Sequence, residues 1–218
     1  MEEAKTKIAL IIPAYNEAKR IGLVLDEAIK VQLIDEIIVV DDGSTDDTAE
    51  VAKKYKRVKV INREENGGKG AALSTGIDST DAAILVLIDA DLIGLKTVHI
   101  ESLIKPLLEE DLDMTLGKFT GGRMATDISQ ALVPRISGQR AFKREILERM
   151  PDFTNCGYGV EIAFAKQAKR KHARVKEVVL PNVTHVMKEE KMGLRKGILS
   201  RLGMYRDILF HLIFKHKD

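Results

Sequence analysis

Two aspartates, Asp89 and Asp91, stand on either side of one alanine at the end of an apolar run that covers residues 82–92. A short run rich in β-branched residues predicts a buried strand of a parallel sheet. Unpaired carboxylates are too costly inside a core, so we expect both acids at the carboxyl end of this strand, pointing the same way. Their oxygens suit Mg²⁺ or Mn²⁺ holding a diphosphate. An isolated Asp-x-Asp is more often a solvated strand end, so the other motifs decide.

A glycine-rich loop, Gly67-Gly68-Lys69-Gly70, precedes a predicted helix that continues to residue 77. Backbone N–H groups in such a loop and at a helix N-terminus can hold phosphate. A P-loop requires Ser or Thr directly after its lysine, and Gly70 stands there instead. A dinucleotide fingerprint would follow the first strand, where the chain has Pro13-Ala14-Tyr15-Asn16-Glu17. The pattern therefore argues against an NTPase and against a dehydrogenase.

The elements that must position these residues alternate between strand and helix. Apolar runs predict strands at residues 7–12, 36–40, 58–61 and 82–92. Asn16 and Thr45 are the predicted caps of the first two intervening helices. Later elements are predicted helices at 98–108, 143–150 and 161–171 and predicted strands at 114–119 and 175–180. This order predicts an α/β fold with a mostly parallel, doubly wound sheet flanked by helices, whose polar clusters meet at one edge.

The composition is that of an ordinary globular protein of 218 residues, with 44% hydrophobic and 31% charged residues. The single cysteine, Cys156, excludes an internal disulfide, and the N-terminus does not resemble a signal peptide. We therefore expect a reducing, cytoplasmic location. No apolar run is long enough to cross a membrane. The basic residues lack interleaved aromatics and a reading motif, which argues against nucleic-acid binding.

The charge is distributed unevenly along the chain. Residues 166–218 carry 14 Lys or Arg and 5 Asp or Glu, whereas residues 1–165 carry 21 and 28. Within a predicted C-terminal segment, 191–218, residues 193–214 place apolar side chains three and four apart on a helix whose other face is basic. This amphipathic helix could pack on its own core, on a second subunit in a homodimer, or peripherally on the inner face of a membrane. Residues 1–190 form the predicted main domain.

Four motifs occur together, in one order and each at a predicted strand end or loop. They are Pro13-Ala14-Tyr15-Asn16-Glu17, Asp41-Asp42-Gly43-Ser44-Thr45-Asp46, Gly68-Lys69-Gly70 and Asp89-Ala90-Asp91. In this combination the chain resembles the family 2 glycosyltransferases, which have the GT-A fold. The resemblance covers residues 7–92 and implies a hexosyltransferase. It further implies that residues 1–92 bind a nucleotide-sugar and residues 93–190 bind an acceptor.

A second, more local resemblance is to the glucosyl-3-phosphoglycerate synthases and related retaining glycosyltransferases. It rests on Gly157-Tyr158-Gly159-Val160-Glu161-Ile162, on the stretch from Gly122-Arg123 to Thr126, and on His185. Thr126 comes one residue later than in that group, and Met187 stands where the group has an asparagine. The resemblance implies transfer of a hexose, glucose, from a UDP-sugar to a small phosphorylated acceptor such as a phosphoglycerate, with the two departures leaving the acceptor open.

The resemblance also implies donor roles. Tyr15, with the Pro13 and Ala14 backbone, would line the base pocket, where a flat ring stacks on uracil. Glu17 would accept hydrogen bonds from ribose hydroxyls, and Asp42 would accept one from the imide N–H of the base. These roles favour a uridine nucleotide.

The metal roles implied by the resemblance fall on three residues. Asp91 would be the direct ligand of Mg²⁺ or Mn²⁺, and His185 would be a further ligand from the far half of the chain. Asp89 would contact ribose or a metal-bound water, with Ala90 in the same nucleotide-sugar site. Lys69 would reach the base or the diphosphate as a point charge.

The acceptor roles fall on the second half. Arg123 and Thr126 would hold the phosphate and carboxylate of the acceptor, and Glu161 would lie beside the sugar ring. Asp91, Glu161 and Lys69 are thus the predicted catalytic residues. Inversion would need a carboxylate base, for which Asp127 is the one weak candidate, whereas front-face attack with retention needs no protein nucleophile. The likeness around Glu161 favours retention.

Three alternatives stay open from the sequence. The first is a polyprenyl-phosphate glycosyltransferase that uses a UDP- or GDP-sugar at the membrane, with residues 193–214 as its docking helix. The second is a sugar nucleotidyltransferase, which would normally carry a glycine-rich loop directly after its first strand. The third is a non-catalytic binding module, which is disfavoured because Asp89, Asp91 and Lys69 are all present.

Overall fold

The computed structural model describes residues 5–120, 137–154 and 159–185. The strands in these residues are β1 Ile8–Ala14, β2 Glu36–Asp41, β3 Val58–Asn62, β4 Ile84–Leu87, β5 Leu92–Ile93, β6 Met114–Thr120, β7 Arg140–Lys143, β8 Val175–Pro181 and β9 Thr184–His185. The α-helices are α1 Ile21–Ala28, α2 Thr48–Lys53, α3 Gly68–Asp78, α4 Thr97–Glu109 and α5 Val160–Arg170, and a 3₁₀ helix covers Arg144–Leu147.

Seven of the strands form one sheet in the order β3-β2-β1-β4-β7-β6-β8. Its pairs are parallel except those that β7 makes with β4 and with β6. The chain runs outward from β1 to β3 and then returns to β4 on the other side of β1. A reversal of this kind opens a crevice at the carboxyl ends of the strands, where ligands bind in such sheets. The predicted α/β fold with a mostly parallel, doubly wound sheet is confirmed.

Helices cover both faces of this sheet because its strands alternate their side chains between two cores. Ile8, Leu10 and Ile12 of β1 pack on the face that α1 and α4 cover, whereas Ala9 and Ile11 face α3 and α5. Continuous apolar strands are expected where a parallel sheet is buried on both sides. Among the described helices, none combines the length and the apolar character needed to cross a membrane. The predicted C-terminal helix at residues 193–214 lies outside the described residues.

The predicted strand at residues 82–92 is wrong in its length. Strand β4 ends at Leu87, and the chain turns before β5, which pairs with β9 in a separate antiparallel ribbon. The reason is local: the backbone N–H of Asp89 donates to the side chain of Gln139 instead of to a neighbouring strand. Asp91 therefore lies in a turn, not in an extended strand.

Two further predictions of local structure are wrong. The predicted helix at 143–150 is a strand end followed by the 3₁₀ helix Arg144–Leu147. Asn16 does not cap α1, because its backbone has a φ of 56° and its side-chain oxygen accepts from the Thr45 N–H at 2.8 Å. Asn16 and Thr45 instead join the loops after β1 and β2, which fixes the two loops to each other at the crevice.

Candidate active site

Asp89, Asp91 and His185 converge at the carboxyl edge of β4. One ligand atom from each lies within 4.8 Å of the others. The pairing of β5 with β9 places His185 opposite Leu92, and this register brings its Nδ1 within 3.2 Å of Asp91 Oδ1. The His185 ring also packs edge-on against Phe119, with 5.1 Å between ring centroids. Two carboxylates and one imidazole form a donor set that fits Mg²⁺ or Mn²⁺.

Lys69 joins this cluster to helix α5. Its Nζ lies 2.6 Å from Asp89 Oδ1 and 2.7 Å from Glu161 Oε1. Lys69 is in the first turn of α3 and Glu161 in the first turn of α5, so the first turns of both helices contribute a side chain to the same cluster. A helix N-terminus favours negative charge, both of a carboxylate and of a bound phosphate.

Opposite charges in the cluster counteract the effect of burial on the pKa values of these groups. Burial disfavours the charged form of Lys69, but Asp89 and Glu161 raise its pKa above the usual range of lysine. Burial likewise works against the charged form of Asp89, yet Lys69 and His185 lower its pKa. Burial lowers the pKa of His185, but the contact with Asp91 raises it, and the net result is a raised pKa. The site therefore holds a compact set of opposite charges before any ligand arrives.

The segment that leads into β7 closes the site from the other side. Gln139 Nε2 donates to Asp89 Oδ2 at 2.8 Å, while Gln139 Oε1 accepts from the Asp89 N–H at 2.9 Å. Gly138 permits this approach, since a Cβ there would lie 2.4 Å from Asp89 Oδ2. Neither residue was predicted from the sequence, because a Ser-Gly-Gln-Arg stretch resembles an ordinary polar turn until its burial is known.

Arg140 is a third residue that the sequence did not reveal. Only 1% of it is exposed, its guanidinium stacks over the Phe164 ring at 4.9 Å, and one of its N–H groups donates to the Ser137 carbonyl. Burial lowers the pKa of Arg140 to about 10, an effect that Glu161 and Asp89 oppose. A small cavity next to it is lined by Lys69, Leu73, Leu87, Gly138, Arg140, Val160, Glu161 and Phe164.

Asp42 organises the glycine-rich loop. Its two carboxylate oxygens accept from the N–H groups of Gly67 and Gly68, at 3.1 and 2.8 Å, and from the guanidinium of Arg63. The sequence predicted base recognition for Asp42 and gave no sign of this loop-holding role. Base recognition by Asp42 stays a prediction.

The other predicted donor residues surround the same crevice. Pro13 and Ala14 end β1 beside Val40 and Asp41 of β2. Tyr15 is 46% exposed, whereas Glu17 is buried and its N–H donates to Thr48 Oγ1 at 2.8 Å. Ala90 is buried in the turn after β4. The predicted acceptor residues, Arg123 and Thr126, lie outside the described residues.

A GT-A type sheet with an Asp-x-Asp turn, an imidazole beside it and a lysine at a glycine-rich helix start defines the class of the protein as a glycosyltransferase. The model of glycosyl transferase family 2 matches residues 9–163, and the chain belongs to this family. It is therefore an enzyme, a hexosyltransferase.

Several characterised proteins are similar to the chain. The glucosyl-3-phosphoglycerate synthase of Petrotoga mobilis is 28% identical over an alignment that covers 99% of this chain and 80% of that protein. The Mycobacterium tuberculosis enzyme of the same name is 33% identical over 74% of this chain and 61% of its own length. Human dolichyl-phosphate beta-glucosyltransferase is 40% identical over 39% of this chain and 31% of its own length.

Solved structures of the Mycobacterium tuberculosis synthase share the fold. Its complex with Mn²⁺ and UDP-glucose matches with a TM-score of 0.70 and 30% identity, covering 91% of this chain and 79% of that one. Its complex with Mn²⁺, UDP-glucose and phosphoglyceric acid matches with a TM-score of 0.69 and 31% identity over the same shares. The fold and the family therefore agree with those that the motifs predicted.

Proposed function

We propose that this chain transfers glucose from UDP-glucose to a small phosphorylated acid such as a phosphoglycerate, using Mg²⁺ or Mn²⁺ and retaining the anomeric configuration. The observation that carries the proposal is the contact of Lys69 with both Asp89 and Glu161. It links the predicted diphosphate site on the first half of the chain to the acid predicted to lie beside the sugar. Relatives that are named for this reaction support the choice of substrates.

In this proposal Asp91 and His185 hold the metal, which supplies positive charge for the diphosphate when bound. Their ligand atoms are close enough to share one cation with Asp89. The base is placed against the exposed Tyr15 ring, with Pro13 and Ala14 beside it. Glu17 would accept from the ribose and Asp42 from the base. Residues 1–92 would thus hold the donor, and residues 93–190 would supply the acceptor site, with Arg123 and Thr126 as its anion-binding side chains.

The chemistry proposed is a front-face substitution at the anomeric carbon. The acceptor hydroxyl forms the new bond to this carbon as the bond to the β-phosphate oxygen breaks, and the hydroxyl proton passes to that leaving oxygen. Lys69 neutralises charge that develops on the departing UDP, and Glu161 stabilises the positive charge that develops on the sugar ring. No protein nucleophile is needed, which agrees with Glu161 being held in an ion pair with Lys69 at 2.7 Å.

A second candidate is transfer to a lipid phosphate. Its support is the local similarity to human dolichyl-phosphate beta-glucosyltransferase. In that case the basic helix predicted at residues 193–214 would lie on the cytoplasmic face of a membrane. If the helix makes no membrane contact, the enzyme would work in the cytoplasm. Activity that requires a polyprenyl phosphate in detergent or vesicles, with none on phosphoglycerate, would favour this candidate.

The donor half is tested by calorimetric titration of UDP, GDP, UDP-glucose and GDP-mannose, each with Mn²⁺ and with EDTA. We expect metal-dependent binding of the uridine nucleotides and its loss in Asp91→Ala. Asp47→Ala, in the loop before α2, is the control and should bind as the wild type does. Preference for guanosine would replace the donor by a GDP-sugar, and binding of none of the four would contradict the transferase proposal.

The acceptor and the stereochemistry are tested together. Wild-type enzyme with UDP-glucose, Mn²⁺ and 3-phosphoglycerate should release UDP and form one glucoside, whose anomeric proton coupling is read by NMR. The α-configuration of the donor in the product supports retention. The β-configuration would exclude the front-face route and direct attention to a carboxylate base such as Asp127.

A further inference from the structure

The side chain of Gln139 is fully buried, and among the described residues its hydrogen bonds go to a single partner. Gln139 has 0% exposure, and both of its amide atoms meet Asp89: Nε2 donates to Oδ2 at 2.8 Å and Oε1 accepts from the backbone N–H at 2.9 Å. Two bonds in opposite directions fix the Asp89 side chain and backbone at once. A primary amide can donate and accept at the same time without carrying charge.

The two bonds determine which oxygens of Asp89 are engaged. Oδ2 accepts from Gln139, and Oδ1 lies 2.6 Å from Lys69 Nζ. The carboxylate is thus held between a neutral donor from the β7 side and a cation from α3. Because the Gln139 bond does not depend on Lys69, it keeps Asp89 in the same orientation when a diphosphate competes for the lysine.

The backbone around Gln139 is itself well fixed. The Gln139 carbonyl accepts from the Gly117 N–H at 2.8 Å, and its own N–H donates to Ser137 Oγ at 3.2 Å. Gly138 packs so closely on Asp89 that a Cβ there would lie 2.4 Å from Oδ2 and 2.9 Å from Lys69 Nζ. The amide therefore reaches Asp89 from a rigid support, as required of a group that positions another.

We infer that Gln139 is a positioning residue, which orients Asp89 so that its Oδ1 faces the donor nucleotide beside the metal corner of Asp91 and His185. The inference rests on the proposed function, since it assigns Gln139 a part in binding the metal–nucleotide complex. Groups that orient the residues of a metal site typically change its affinity about 10–100-fold when they are replaced.

The test compares two buried glutamines. Gln139→Met removes both bonds to Asp89 at similar side-chain volume. Gln167→Met is the matched control, because Gln167 is 1% exposed and its Nε2 also makes two bonds, to the carbonyls of Ile146 at 2.8 Å and Glu148 at 2.9 Å. Both variants should lose thermal stability, which is measured by the unfolding temperature. We expect only Gln139→Met to lose affinity for UDP at saturating Mn²⁺, by about 10-fold or more.

A second variant guards against loss of folding. Gln139→Glu keeps the size and the acceptor for the Asp89 N–H but cannot donate to Oδ2 when ionised, and it too should bind UDP more weakly than the wild type. Equal affinity of Gln139→Met, Gln139→Glu and Gln167→Met would overturn the inference. Because the readout is nucleotide binding, a wild-type enzyme that binds UDP but transfers no glucose to phosphoglycerate would contradict the proposed acceptor and leave this comparison valid.

Discussion

At the scale of single residues, the site is organised around the charge of Lys69. Its ammonium group lies between two carboxylates from distant parts of the chain, Asp89 and Glu161, and the side chains of all three are less than a quarter exposed. Breaking such a pair by removing the cation leaves uncompensated charge in a poorly hydrated site. In the proposed function the same cation would also meet the diphosphate of the donor, so one side chain would serve both stability and catalysis.

Replacing Lys69 by Met should therefore separate binding from chemistry. We expect the rate of glucose transfer to fall by about 10²–10³, the usual effect of removing one group that stabilises developing charge. Mn²⁺ binding should persist, since Asp91 and His185 are unchanged. Turnover is followed by UDP release and metal binding by electron paramagnetic resonance. Lys53→Met, which removes only an exposed pair with Glu50, serves as control; a Lys69 variant with wild-type turnover would refute the assignment.

The charged side chains of the site that follow strands or glycines were predictable from the sequence, whereas the residues that hold them in place were not. Asp89, Asp91, Lys69 and Glu161 stand next to apolar runs or glycines, and the structure does bring them together with His185. Gln139 and Arg140 occur in a stretch whose pattern is neither helical nor alternating. Their importance follows from burial, which depends on the antiparallel strand β7 entering the middle of the sheet.

At the scale of elements, strand β7 explains why the second half of the chain was harder to predict. It has four residues, Arg140–Lys143, and pairs antiparallel with both β4 and β6. Four residues are too few to show a period, and the following Arg144–Leu147 turn gives the segment a helical composition. The first half, with longer apolar strands and short connections, follows the rules of parallel α/β folds and was predicted nearly throughout.

Helices α1 and α4 are joined by Glu27, and this contact should make stability depend on pH. The Thr97 N–H and hydroxyl donate to Glu27 Oε2 at 2.9 and 2.8 Å. These bonds lower the pKa of Glu27 from 4.5 to about 2, and the bond from the Thr97 backbone has the larger effect. A carboxyl whose pKa falls on folding stabilises the protein at any pH above its ordinary pKa. This contribution is lost as the pH falls from 4.5 towards 2.

Glu27→Gln should accordingly be less stable than the wild type at pH 7, by about 1–2 kcal/mol. The difference should shrink as the pH is lowered through that window, because the wild-type carboxyl becomes protonated and the glutamine does not titrate. Denaturant unfolding at several pH values measures it. Glu50→Gln, at an exposed pair on α2, should show almost no effect at any of them. A Glu27 difference that is independent of pH would show that shape, not charge, joins the two helices.

At the scale of the whole molecule, the proposed metal corner of Asp91 and His185 depends on contact between segments far apart in the chain. The small ribbon of β5 and β9 aligns Leu92 with His185 and Ile93 with Thr184. It follows that Asp91, from the first half of the chain, meets an imidazole that comes after α5 and β8 and lies in β9, the last strand of the described residues. The general position of His185 near a metal was implied by family resemblance, but the two-residue strands that place it are too short to be recognised from sequence.

Gly94 offers a way to perturb this ribbon without touching a proposed ligand. Its φ is +77°, and a Cβ there would lie 2.2 Å from the carbonyl oxygen of Asn182, so Gly94→Ala must displace β5 from β9. We expect affinity for Mn²⁺ in the presence of UDP to fall about 10-fold or more, as for loss of a supporting contact.

His185→Ala removes the imidazole directly, and its affinity for Mn²⁺ should fall by at least as much. If both changes act through the same imidazole, the double variant should bind Mn²⁺ no worse than His185→Ala alone, because the two effects are not independent. Additive losses would mean that the ribbon supports the metal corner by another route, and wild-type affinity in Gly94→Ala would mean that the two halves of the site are held together elsewhere.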